Sequence, residues 1–133
     1  MIQKNIGLLH VSILSLAMHV PSAIANRLIR WRFPEVEQHS PGVLLLAHDR
    51  GLQSFVDVRG LTIRQVREQI AANRRQQPQA RVALVCDIGY CSSKLAAALV
   101  SAGYKNVVNL EGGLRALRQF HHEIQNYAAQ RTA

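Results

Sequence analysis

Two cysteines, Cys86 and Cys91, stand five positions apart where the sequence changes from a strand pattern to a helix pattern. The apolar run Val82–Val85 is typical of a buried strand and leads directly into Cys86. A short turn containing Gly89 follows, and a helix pattern begins at Ser92. Backbone N–H groups in such a turn, with the positive end of the helix dipole, stabilise negative charge on sulfur. The sequence therefore predicts that Cys86 is a nucleophilic thiolate.

The residues after Cys86 are expected to form an anion-binding loop. The candidate loop residues are Asp87, Ile88, Gly89, Tyr90, Cys91 and Ser92. Ser92 is expected either to cap the helix or to donate a hydrogen bond to the sulfur. Asp87 brings a negative charge, which disfavours both a thiolate and an anionic substrate. Lys94, one turn into the predicted helix, is a candidate source of positive charge.

The composition is typical of one small globular domain. The 133 residues carry a formal net charge of +8, with 48% hydrophobic and 18% charged residues, which suffices for one modest core. The basic residues are spread along the chain without an aromatic ladder or a helix-turn-helix pattern, so no nucleic acid is expected. The charge suits a solvated surface, anionic substrates or a membrane surface. Two cysteines are too few for a disulfide framework or a metal site, and we expect no cofactor.

The segment 1–33 is predicted to form an apolar helix ahead of the domain. Residues 5–26 contain no Asp, Glu, Lys or Arg. Three interpretations remain open: a membrane anchor, a secretory signal with a cleavage site at Ala23–Ala25, and an amphipathic helix on the domain or a membrane surface. If the segment spans a bilayer, the arginines within Arg27–Arg32 favour a cytoplasmic domain. We expect a cytoplasmic location or the cytoplasmic face of a membrane, with export as the alternative.

Beyond this segment, alternating helix and strand patterns predict a single domain over residues 34–133. Residues 34–41 are predicted to be a linker. Helices are expected at 41–48, 62–74, 92–102 and 114–128, and strands at 54–59, 81–85 and 107–110. This alternation is typical of an α/β fold, with a small parallel sheet and helices on both faces.

Two further polar residues follow the first of these strands. Asp57 and Arg59 stand at its carboxyl end, as Cys86 stands at the carboxyl end of the next strand. Because the carboxyl ends of parallel strands share one edge of the sheet, we expect all three residues to converge there.

The chain resembles the rhodanese domain family, whose active loop reads Cys-x-x-Gly-x-Arg-Ser and is followed by an alanine-rich helix. Cys86, Gly89 and Ser92 match that loop. Matches continue collinearly through Ala96, Leu99, Gly103, Tyr104, Asn106, Val107, Leu110, Gly112 and Gly113, and upstream through Ser40, Pro41 and Val56–Arg59. The resemblance covers residues 40 to about 120 and implies a rhodanese-like fold.

The resemblance implies sulfur transfer through a persulfide on Cys86, from a small anionic donor such as thiosulfate or a persulfide to a thiol acceptor. It also implies that Arg59 braces the fold through an ion pair. This chain departs from the family where Cys91 replaces the loop arginine, and where the segment after Arg59 is short. One strand of the usual sheet is therefore missing or rebuilt from residues 59–61. We expect weak thiosulfate turnover, because the anion site lacks its arginine.

Two alternatives remain open. In the first, the domain is a catalytically impaired module that binds a partner or an anion. In the second, Cys86 and Cys91 form a dithiol redox switch. The switch requires the two Cα atoms to lie within about 7 Å. Without the switch, Cys91 is expected to be a small buried residue at the start of a helix, with no redox role.

Overall fold

The computed structural model describes residues 20–132, in which helices and short strands alternate along the chain. Five helices lie in this part of the chain: α1 (Ser22–Arg32), α2 (Pro41–Asp49), α3 (Ile63–Gln76), α4 (Tyr90–Ser101) and α5 (Gly113–Thr132). Four strands accompany them: β1 (Gln38–His39), β2 (Gln53–Asp57), β3 (Arg81–Val85) and β4 (Val107–Leu110). The α/β fold predicted from the sequence is confirmed.

The four strands form one parallel sheet in the order β1-β4-β3-β2. The inner strand β3 carries the apolar run Val82–Val85, which is buried throughout because both faces of the sheet are covered. The chain leaves β2 and β3 at the same edge of the sheet, since parallel strands share their direction. This edge therefore receives both the Asp57–Arg59 segment and Cys86.

Side chains along β3 alternate between two hydrophobic clusters. Val82 and Leu84 join the larger cluster, which also contains side chains from α1, α3 and α4. Ala83 and Val85 join a smaller cluster on the opposite face, together with side chains from α2 and α5. Helices thus cover both faces of the sheet, as the sequence predicts.

Helix α1 packs into the larger cluster. Ile29 is buried there, and Phe33 meets Tyr90 edge-on with ring centroids 5.6 Å apart. On the outside of the helix, Arg30 pairs with Glu111, the residue directly after β4. Residues of the predicted apolar N-terminal segment therefore contribute to the same core as the sheet.

Residues 1–19 lie outside the described part of the chain. The predicted membrane anchor or secretory signal falls largely on these residues, and it stays a prediction. Between residues 20 and 132, no helix combines the length and the apolar character needed to cross a membrane.

Two sequence-based expectations near the sheet edges are wrong. The predicted linker 34–41 contains the edge strand β1, whose Gln38 and His39 pair with Asn109 and Leu110 of β4. A strand of two residues has no periodicity that a sequence pattern can reveal. The predicted strand 54–59 ends earlier, at Asp57.

No strand is rebuilt after β2. Arg59 and Gly60 form a tight turn, closed by the N–H of Leu61 donating to the carbonyl of Val58 over 3.1 Å. This turn holds Arg59 at the sheet edge, beside the segment that follows β3. At the end of the described chain, α5 continues to Thr132, beyond the predicted end at residue 128.

Candidate active site

The sulfur of Cys86, directly after β3, lies in a ring of hydrogen-bonding groups. Its side chain is buried, with 5% of the residue exposed. The backbone N–H groups of Gly89 and Ser92 donate to Cys86 Sγ over 3.2 and 3.3 Å, and Ser92 Oγ lies 3.1 Å from it. Because Ser92 belongs to the first turn of α4, the positive end of the helix dipole lies at the same place. These groups stabilise negative charge on the sulfur.

Gly89 turns the chain from the loop into α4. Its φ of 91° lies in the left-handed region, and it is the N-cap residue of the helix. A Cβ atom here would lie 3.1 Å from the backbone nitrogen of Gly112, so space and conformation both require glycine. The helix therefore begins at Tyr90 and not at Ser92. Tyr90, Cys91 and Ser92 are its first three residues, and Ser92 contacts the sulfur instead of capping the helix.

The first turn of α5 holds the other side of the Cys86 backbone. The N–H of Leu114 donates to the carbonyl of Cys86 over 2.8 Å, and that of Arg115 to the carbonyl of Asp87 over 3.0 Å. Gly113, with a φ of 60°, makes this approach possible. A Cβ atom on it would collide with the carbonyl oxygen of Cys86 and would lie 2.7 Å from the carbonyl carbon of Asp87. The turn at Gly112 and Gly113 thus positions the backbone of Cys86.

A buried polar network supports Gly89 from the sheet side. The Ser93 hydroxyl donates to the carbonyl of Gly89 over 2.6 Å and accepts from the amide of Gln38 over 2.9 Å. The amide of Asn109 donates to Gln38 Oε1 over 2.7 Å. Ser93 and Asn109 are fully buried, so their hydrogen bonds are costly to lose. The network ties the loop to β1 and β4.

Arg59 lies between two carboxylates at the edge of the site. Its guanidinium contacts Asp57 at 2.9 Å and Asp87 at 3.2 Å. The hydrogen bonds from Arg59 lower the pKa of the Asp57 carboxyl, and those to Asp57 and then Asp87 raise the pKa of Arg59 above its usual range. Arg59 therefore compensates the charge that Asp87 brings next to Cys86, although both side chains are substantially exposed and solvent screens the pair.

A cleft of about 650 Å³ opens over the sulfur. Its charged and sulfur-bearing wall residues are Arg59, Cys86, Asp87, Cys91 and Lys94, and its apolar wall includes Val58, Leu61, Ile88, Leu95 and Ala98. Burial raises the pKa of the Cys91 thiol, with smaller contributions from Cys86 and Asp87, whereas the Lys94 ammonium lowers it. Both cysteines are free thiols in this structure, Cys86 buried and Cys91 exposed. One cleft thus holds two thiols in different environments.

A comparison with models of known protein families identifies the family to which this chain belongs. The model of the rhodanese-like domain matches residues 35–119, which is more than half of the chain. This chain belongs to the rhodanese-like domain family. No curated protein and no solved structure matches it. Membership in the family supports a sulfurtransferase-type or sulfur-binding module in general terms.

The rhodanese-like domain brings together all but one of the candidate site residues singled out in the sequence. Cys86, Asp87 and Ile88 form the loop after β3, and Gly89 joins it to α4. Asp57 reaches the site through Arg59. Tyr90 points away from the cleft walls and packs against Phe33 in the core.

Sequence reasoning missed the supports beneath the loop. Gln38 lay in the predicted linker, and Ser93 and Asn109 looked like ordinary helix and strand residues. A polar residue inside an apolar strand, such as Asn109 within Val107–Leu110, is a signal that could have found the network, because buried amides need partners. Within the described residues 20–132, no group of three or more His, Cys, Asp or Glu side chains is placed to bind a metal ion.

Proposed function

We propose that this domain is a sulfurtransferase or persulfide carrier in which Cys86 accepts the sulfur. The observation that carries the proposal is the position of Cys86 Sγ among two backbone N–H groups and the Ser92 hydroxyl. Such donors stabilise the thiolate that must attack, and the thiolate that must leave when the sulfur is passed on.

The reaction has two displacements at sulfur. The Cys86 thiolate attacks the outer sulfur of the donor, the donor's S–S bond breaks, and its electron pair leaves on sulfite from thiosulfate or on a thiolate from a persulfide. An acceptor thiolate, or cyanide, then attacks the outer sulfur of the Cys86 persulfide. The bond to Cys86 Sγ breaks, and its electron pair returns to the sulfur held by Gly89 and Ser92.

The charges around the cleft favour weakly charged donors over thiosulfate. Arg59 is engaged by two carboxylates, and Cys91 occupies the place where the family loop has arginine. Lys94 is the remaining cation on the cleft wall within the described residues. A doubly charged donor would therefore gain little electrostatic stabilisation, and we expect a persulfide donor to react faster than thiosulfate.

Intact-mass measurement tests the proposal directly. The full chain is incubated with thiosulfate or with a low-molecular-weight persulfide, and unbound donor is removed. We expect a mass increase of about 32 Da, one sulfur atom, that is absent in Cys86→Ser and still present in Cys91→Ser. Absence of the adduct with every donor contradicts sulfur transfer and favours the binding or regulatory module.

A dithiol switch is the second candidate, because both cysteines line one cleft. It predicts a loss of two hydrogens under mild oxidant, abolished equally by Cys86→Ser and by Cys91→Ser. Sulfur loading and disulfide formation change the mass in opposite directions, so the same spectrum separates the two functions.

For its location we propose the cytoplasm or the cytoplasmic face of a membrane. The support is the uncharged run at residues 5–26, followed by the arginines within Arg27–Arg32. Membrane fractions washed in high salt should retain the full chain if the run is inserted. Release into the soluble fraction contradicts an inserted segment.

A further inference from the structure

The two thiols of the cleft differ in accessibility. Cys86 is buried with 5% of its surface exposed, whereas Cys91 is exposed on the first turn of α4. A small donor can enter the cleft and reach Cys86. A folded acceptor protein has to bring its own thiol to the sulfur, and the walls around Cys86 oppose that approach.

The chain geometry holds Cys91 close to the Cys86 sulfur. The backbone nitrogen of Ser92 lies 3.3 Å from Cys86 Sγ. That nitrogen is two covalent bonds from the Cα atom of Cys91, which therefore lies within about 6 Å of Cys86 Sγ. Cys86 and Cys91 also line the same cleft, and the proximity of Cys86 contributes to the raised pKa of the Cys91 thiol. A sulfur atom added to Cys86 would lie about 2 Å beyond Cys86 Sγ, and the cleft that both cysteines line has room for it.

We propose that Cys91 is a relay thiol, which takes the outer sulfur from the Cys86 persulfide and presents it at the surface to the cysteine of an acceptor protein. This inference rests on the proposed function, because it begins from a loaded Cys86. It gives a role to the residue that stands where the family loop has arginine.

The relay step is balanced without an oxidant or a reductant. Cys91 first loses its proton to solvent, and its thiolate attacks the outer sulfur of the Cys86 persulfide. A bond forms between Cys91 Sγ and the outer sulfur, while the bond between that sulfur and Cys86 Sγ breaks. The electron pair stays on Cys86 as a thiolate, and Cys91 becomes the persulfide.

The surroundings of the two sulfurs favour this step over disulfide formation. Attack on the inner sulfur would join Cys86 to Cys91 and expel sulfide. The inner sulfur is buried and bonded to Gly89 and Ser92, whereas the cleft lined by both cysteines offers room for the outer sulfur. The departing Cys86 thiolate keeps its hydrogen-bond donors, and the Lys94 ammonium stabilises the attacking Cys91 thiolate.

Site mapping of the added sulfur tests the relay. The full chain is loaded with a low-molecular-weight persulfide, alkylated to trap persulfides, and digested, and the modified cysteine is located by fragmentation. We expect the wild type to carry the extra sulfur on both Cys86 and Cys91. Cys91→Ser should carry it on Cys86 alone, and Cys86→Ser on neither cysteine.

Transfer to acceptors of different size supplies the second readout. The acceptors are cyanide and a small folded protein with one exposed cysteine. We expect Cys91→Ser to lower the ratio of protein-thiol transfer to cyanide transfer by about tenfold or more, and Cys91→Ala to do the same. Ser101→Ala, at the exposed end of the same helix, should leave the ratio unchanged.

The outcomes separate the two proposals. No loading of any variant overturns the proposed function itself. Loading of Cys86 without any sulfur on Cys91, or an unchanged transfer ratio in Cys91→Ser, overturns the relay alone. Sulfur on Cys91 in Cys86→Ser also overturns it, since Cys91 would then react without Cys86. Release of sulfide together with a Cys86–Cys91 disulfide overturns the relay in favour of the redox switch.

Discussion

The candidate active site consists of two regions that are built in opposite ways. The floor is the backbone from Cys86 to Gly89, held by the first turn of α5 and by Ser93. The rim comprises the side chains of Arg59, Cys91 and Lys94 around the cleft. Buried backbone contacts and close approaches determine the floor, whereas exposed charges and one exposed thiol make up the rim.

This contrast indicates where specificity resides. Hydrogen bonds in the buried floor are protected from water. Removing one partner leaves a buried polar group unsatisfied, which lowers the free energy of unfolding substantially. Charges at the rim interact through solvent, so each contributes little to stability. The floor therefore fixes the position of the Cys86 sulfur, while substitutions at the rim would change the charge of the cleft at little cost in stability.

The largest effect is expected for Gly113→Ala in the floor. The new Cβ collides with the backbone of Cys86 and Asp87 and also meets a φ of 60°. We expect a loss of about 3 kcal/mol or more in the free energy of unfolding, from strain and overpacking together. Chemical denaturation measures it.

Gly51→Ala is the matched control for Gly113→Ala. Gly51 has a similar φ of 73°, and nothing lies within 4 Å of its Cβ position. This variant should lose only about 1 kcal/mol, the cost of the left-handed conformation alone. Equal losses in the two variants would show that the contact with the Cys86 backbone is unimportant.

A smaller loss is expected for Ser93→Ala, which removes the hydroxyl that donates to the Gly89 carbonyl and accepts from Gln38. The Gly89 carbonyl is left in buried surroundings and the Gln38 amide in partly buried ones, so we expect about 1–3 kcal/mol of destabilisation and slower loading of Cys86. Ser101→Ala makes the same change at an exposed position of α4 and should be nearly neutral. A Ser93→Ala variant as stable as Ser101→Ala would contradict the support that we assign to the network.

At the rim, pH should control the relay. Burial raises the pKa of Cys91 above its ordinary value of about 9, and the nearby Cys86 and Asp87 act in the same direction. Only the thiolate attacks, so the rate of sulfur appearance on Cys91 should rise about tenfold per pH unit between pH 7 and 9. Stopped alkylation followed by peptide mapping measures this rate.

Lys94→Gln sharpens the pH prediction. The Lys94 ammonium lowers the pKa of Cys91. The neighbouring side chains of Tyr90 and Asp87 carry no positive charge that could replace it. Removing the ammonium should raise that pKa, so the whole rate profile shifts to higher pH. A profile that is independent of pH, or a shift in the opposite direction, contradicts attack by the Cys91 thiolate.

The smallest effect on stability is expected for Arg59→Gln. At pH 7 this variant loses the favourable contacts with Asp57 and Asp87, so it should be slightly less stable than the wild type. Because Arg59 lowers the pKa of Asp57 in the folded state, its stabilisation is present above about pH 4 and disappears as Asp57 becomes protonated below it. Unfolding curves at pH 7 and pH 3 test this prediction. The difference in the free energy of unfolding between variant and wild type should be smaller at pH 3 than at pH 7. A larger difference at pH 3 would contradict the ion pair.

Much of the fold follows from local patterns. The strand over Val82–Val85 and the helix predicted over residues 62–74 are visible in the sequence because periodicity is a local property. The structure adds a capping box at the start of this helix, in which Thr62 and Gln65 are bonded reciprocally. The two-residue strand β1 was not predictable, since its only support is pairing with β4.

For the site, the sequence alone predicted Cys86 as the candidate nucleophile, the turn at Gly89 that follows it, and the convergence of Asp57, Arg59 and Cys86 at one sheet edge. Residue types and strand order along the chain carry that information. Only the tertiary structure decided that the first turn of α5 is hydrogen-bonded to the Cys86 backbone and that Ser93 and Asn109 are hydrogen-bonded to Gly89. It also decided that Arg59 compensates the negative charge of Asp87. These contacts join residues that are distant in sequence, and their energies depend on distance and burial, which no local pattern contains.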